Sequence, residues 1–120
     1  MTIRRLKTYA GSQGYVYQYY FVGKRPAAAD GLASDSDEYI FDVTSDRKVT
    51  YAVSVFFPQR VFDEWAALHQ RSLSGSEKYA AVKMRLFRAF DDVEEMHLHG
   101  RQLQIDSQSL EESLRGLGVD

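Results

Sequence analysis

The sequence predicts an α+β fold: an antiparallel sheet of three to five strands, placed first in the chain, with two longer helices and a short C-terminal helix packed on one face. Three observations carry this expectation. Apolar and aromatic residues alternate with small or polar ones from Glu38 to Phe57, the period-two signature of half-buried strands. At Pro58 the spacing changes to three and four residues, the signature of amphipathic helices. The long strand-like runs all precede the helical ones, which favours helices segregated to one face of an antiparallel sheet.

Residues 3–9 (IRRLKTY) read as a short edge strand whose Arg4, Arg5 and Lys7 discourage edge-to-edge pairing. Gly11 and Gly14 supply a turn. Residues 15–22 follow, with Tyr15, Tyr17, Tyr19 and Phe21 on one side and Val16, Gln18, Tyr20 and Val22 on the other. Residues 24–37 are small and polar with one Pro, and read as a flexible loop. From Glu38 to Thr44 the alternation turns Tyr39, Phe41 and Val43 inward. A turn at residues 45–48 then makes an antiparallel hairpin with Val49–Phe57. In that strand Val49, Tyr51, Val53, Val55 and Phe57 form a dry ridge, while Thr50, Ala52 and Ser54 form a low opposite face.

Pro58 cannot donate to a ladder, and its fixed φ suits a helix start. Val61, Phe62, Trp65 and Leu68 then define the apolar stripe of a first helix. Ser74 and Glu77 match a capping box, in which each side chain satisfies an orphan backbone N–H. The second helix is expected to reach Met96, with Tyr79, Val82, Leu86, Phe90 and Val93 on its stripe and Gly100 as terminator. Arg101–Ile105 reads as a short extra strand. Asp106 or Ser109 caps a last helix bearing Leu110, Leu114 and Leu117.

A chain of 120 residues fits a single domain spanning residues 1–120. The net charge of −2 supplies no overall cationic field, which weighs against nonspecific nucleic-acid binding. With no cysteine there is no disulfide, thiol nucleophile or thiolate metal site, a composition that suits the reducing cytosol. No apolar run approaches the roughly eighteen residues of a membrane span, and the charged start of the chain lacks the core of a secretion signal. The expected setting is the cytoplasm, with no membrane partner and no cofactor.

For function, the aromatic row is the strongest feature. If Val16, Tyr20 and Val22 join the core, Tyr15, Tyr17, Tyr19 and Phe21 stand on the outer face as a ridge beside the low floor of Thr50, Ala52 and Ser54. Such a face suits a protein-binding or adaptor module that self-associates as a homodimer or captures a protein partner. The opposite orientation would bury the row in the core. An alternative is a small-molecule-binding protein or enzyme with a tyrosine-lined pocket between sheet and helices, bordered by Lys83 or Arg85.

A further alternative is RNA or single-stranded DNA stacked on the aromatic face. Gly14-Tyr15-Val16-Tyr17 followed by Tyr20 matches part of the RNP1 pattern, but Gln13 replaces its basic residue and the βαββαβ order is absent. Glu94, Glu95, His97 and His99 offer metal-ligand types, although their spacing suits no helical site. No nucleophile elbow, phosphate-cradling loop or convergent carboxylate pair points to catalysis.

Overall fold

The computed structural model describes residues 6–27 and 35–119. Five strands form one sheet in the order β1 (Lys7–Ala10), β2 (Val16–Pro26), β3 (Ser36–Thr44), β4 (Tyr51–Pro58) and β5 (Gln102–Gln104). The first four are antiparallel neighbours. β5 returns after the longer helices and pairs parallel to β4, so the sheet is mixed at one edge. Between β4 and β5 run α1 (Gln59–His69), α2 (Gly75–Asp92) and the single-turn α3 (Met96–His99); α4 (Ser107–Gly116) follows β5. This is the α+β arrangement the alternation predicts, with the helices on one face.

The loop expected at residues 24–37 is strand at both ends. β2 continues through Pro26 and β3 begins at Ser36; residues 28–34 lie outside the described residues. Polar residues mask the alternation there. Lys24 and Arg25 pair across the ladder instead, with Asp37 at 3.7 Å and Glu38 at 3.0 Å. The β3–β4 turn forms as expected, and the Asp46 carboxylate accepts the backbone N–H groups of Lys48 and Val49 at 2.8 and 2.9 Å. That turn takes Val49 out of the dry ridge and leaves it exposed.

Pro58 opens α1, of whose stripe Val61 and Trp65 are buried, while Phe62 is half-buried beneath the Lys78 ammonium, 3.9 Å from its ring centre. Leu68 stands in solvent. At α2 the Ser74–Glu77 capping box is complete in both directions. This helix ends before Met96, because Val93 turns extended (φ −97°, ψ 117°) and Glu95 is left-handed (φ 54°). Asp91, Asp92, Glu94 and Glu95 crowd the negative end of the helix dipole, where further acidic turns are disfavoured. The break lets Met96 bury on α3. Asp106 caps α4, which buries Leu110 and Leu114; Leu117 falls past its end and is exposed.

The core lies between the inner sheet face and the helices. Phe41, Val43, Val53 and Val55 from the central strands meet Val82, Leu86 and Phe90 of α2 and Leu110 and Leu114 of α4. Polar pins hold the helical layer together: Ser107 donates to Glu64 at 3.0 Å, and His69 meets Glu111 at 2.5 Å.

Candidate functional site

The two faces of β2 decide where a site can lie. Tyr17 and Tyr19 point inward and are only 2% and 4% exposed. Tyr17 stacks on Phe90 with ring centres 4.2 Å apart, and Tyr19 meets the edge of Phe87 at 5.5 Å. Phe21 turns the same way, 5.0 Å from Tyr79, and keeps 40% exposure near the sheet margin. Tyr15 precedes the strand and is exposed. The expectation of an outward aromatic ridge is therefore corrected: Tyr17 and Tyr19 lie beneath the protein's own helices. The physical reason is the last two turns of α2. Phe87 and Phe90 supply flat apolar partners, so two broad rings bury there with offset and edge contacts that an outward orientation would lose.

The same packing takes these rings into the core between sheet and helices, where the small-molecule reading expects a tyrosine-lined pocket. Tyr17, Tyr19 and Tyr39 are core residues, and burial raises the pKa of each phenol above its usual value. Lys83 lies 5.2 Å over the Tyr79 ring. A base-stacking platform made from Tyr17 and Tyr19 is closed for the same reason.

The outer face carries different residues. Alternation places Val16, Gln18 and Tyr20 outward. A bulge between Phe21 and Gly23 then inserts Val22 as an extra residue and puts Gly23 and Arg25 on that face. Across the sheet, Gly23 pairs with Ile40 and Ile40 with Ser54, which pairs with Gln102; one step on, Arg25, Glu38, Phe56 and Gln104 form the next row. A side chain at Gly23 would meet open space, so Ile40 sits between two small neighbours on a shallow floor.

Polar groups of this face satisfy one another. Tyr20 donates to Asp42 at 2.5 Å, while Glu38 accepts from Arg25 at 3.0 Å and from Ser54 at 2.6 Å. Burial pushes the Glu38 carboxyl up, but the hydrogen bonds from Ser54 and Arg25 outweigh it and hold the group below the usual carboxylate range. Sequence reasoning placed Tyr20 and Val22 in the core and overlooked Ile40 and Phe56. The bulge accounts only for Val22 and the residues after it, since a simple count of two gives the wrong face beyond Phe21; Tyr20 was misplaced because both sides of the strand are bulky.

Hollows occur in the helical layer. A polar cleft of about 350 Å³ lies between α2, β5 and α4, walled by Arg85, Arg88, Asp92 and Glu112. An adjoining hollow of about 540 Å³ extends to Tyr9, Met84 and Phe87. A smaller apolar one of about 130 Å³ lies between α1 and α4 beside Trp65 and Leu68. Among the described residues, no three His, Cys, Asp or Glu side chains converge as metal ligands, and no helix is long and apolar enough to cross a membrane. His97 and His99 are exposed on α3. No protein-family model, curated protein or solved structure matches the chain.

Proposed function

We propose that this chain is a cytoplasmic, non-enzymatic protein-binding module that self-associates through the helix-free face of its sheet. The observation that carries the reading is the Gly23–Ile40–Ser54 row, a shallow floor flanked by the rings of Tyr20 and Phe56. The polar side chains around it already hydrogen-bond to one another, so covering them costs less than covering unpaired groups. Val16 and Val22 extend the apolar margin and are 47% and 44% exposed. Two copies paired through this face would be related by a two-fold axis, the commonest symmetry of soluble oligomers.

Light scattering across a concentration series tests the reading. The expected mass is that of a dimer, and Ile40→Lys should give a monomer with an unchanged circular dichroism spectrum. A wild-type chain that remains monomeric at every concentration would remove self-association by this face.

A further inference from the structure

The cleft between α2 and α4 is separate from the sheet face, and Arg85 in its wall has no ion pair among the described residues, although the Asp106 and Asp92 carboxylates act on it electrostatically. Arg85 is partly buried. Its Nε donates to the Gln104 carbonyl at 3.1 Å, which fixes the guanidinium against β5. Among the described residues its two terminal nitrogens have no hydrogen-bond or ion-pair partner. The other charges are largely spent. Arg88 meets Glu112 at 2.5 Å, and Glu112 also accepts from Gln108 at 3.2 Å. The Asp106 carboxylate accepts the Ser109 N–H at 2.7 Å and caps α4, which neutralises that helix end as an anion site. Asp92 is the loosest carboxylate, held by Arg88 at 3.6 Å with a side chain 65% exposed.

A guanidinium that has lost part of its hydration and gained one hydrogen bond retains donors in a planar fork, the geometry that fits a carboxylate. Two arginines and three carboxylates line the cleft, so its formal charge is negative and a multiply charged anion is repelled. A ligand that brings its own cation is not. The volume of about 350 Å³ lies within the range of small-molecule sites. We propose that this cleft binds a small zwitterion of the amino-acid class, its carboxylate on the free end of Arg85 and its ammonium on Asp92.

The test is a titration of the full chain followed by backbone amide NMR. The probes are free L-α-amino acids, their N-acetylated forms, simple alkylamines and inorganic phosphate. At least one free amino acid should give saturable shifts around Arg85, Asp92, Gln104 and Ser109. The matched probes lacking one charge should not. Arg85→Gln and Asp92→Asn should each weaken binding by about tenfold or more, as expected for a lost charged hydrogen bond. Three outcomes overturn the proposal: no free amino acid shifts these amides; an N-acetylated form or phosphate binds as tightly; or either variant, with a native spectrum, keeps full affinity. Should Arg85→Gln fail to fold, the exposed Asp92→Asn decides alone.

Discussion

The Tyr9 phenol donates to the Asp91 carboxylate at 2.8 Å, joining the first strand to the end of α2 across 82 positions of sequence. The other Asp91 oxygen accepts the Ser12 backbone N–H at 2.9 Å, and the Ser12 hydroxyl donates to the Asp91 carbonyl at 3.2 Å. Gly11 permits this approach, since a Cβ there would lie 3.0 Å from the Phe90 carbonyl oxygen. One acidic side chain thus anchors an edge strand and its turn. Asp91→Ala should lower stability by about 1–3 kcal/mol, and Tyr9→Phe by about 1 kcal/mol, because the anion keeps its Ser12 donor in the second case. Urea denaturation of both variants and of the double variant measures the coupling. Strictly additive losses would contradict a shared hydrogen bond.

Tyr17 separates a core reading from a surface reading. Its ring stacks on Phe90 within the buried hydrophobic core. Tyr17→Ala should cost about 3–5 kcal/mol, as for other large aromatic truncations in cores. Tyr17→Asp should unfold the chain rather than dissociate an oligomer. Thermal melts decide it: an unchanged melting temperature for Tyr17→Ala would return the ring to the surface.

The strands-then-helices order, the Ser74–Glu77 capping box and the central strands were legible because each rests on local chemistry. Pro58, the Ser74–Glu77 pair and the alternation through Tyr39, Phe41 and Val43 need no knowledge of the rest of the chain. The orientation of β2 was not legible, since both of its sides are bulky and the deciding partners, Phe87 and Phe90, lie some seventy residues onward in α2. The bulge at Val22 hid the outer face for a related reason: it is defined by register with β3, which only pairing reveals. The α2–α4 cleft also escaped notice as a whole. Arg85 stood out as a helical cation, but its bond to Gln104 depends on where β5 docks.

Alkaline pH should weaken the fold in a defined window. Burial, the largest cause in each case, raises the pKa of Tyr9, Tyr17, Tyr19, Tyr39, Tyr51 and Tyr79 above the ordinary phenol value of 10.0. The folded state therefore keeps protons that the unfolded chain releases. Stability from these groups is complete below about pH 10 and declines above it. The urea midpoint should be level from about pH 8 to about pH 10 and then drop. A midpoint that stays level or rises beyond that point would contradict the burial of these hydroxyls.

Acid should act through Glu77 with the opposite sign. The Arg71 guanidinium donates to both of its carboxylate oxygens, at 2.8 and 3.2 Å, and the Ser74 backbone N–H adds a third bond at 2.9 Å. These bonds, Arg71 foremost, hold the carboxyl at about 2 against an ordinary 4.5. A folded value below the unfolded one means that this stabilisation is present above pH 4.5 and is lost as pH falls toward 2. Glu77→Gln keeps an oxygen for the Ser74 N–H but cannot ionise. Its melting temperature should lie below that of the wild type at neutral pH, with the gap closing through that window. Trp65, the single tryptophan, is a reporter, because the Arg71 guanidinium lies 5.4 Å over its ring. Its emission should change more over the same range in the wild type than in Glu77→Gln, as the Arg71–Glu77 pair is lost. A gap in melting temperature that is independent of pH would show that Glu77 acts only as a cap, without the ion pair that couples the start of α2 to Trp65 of α1.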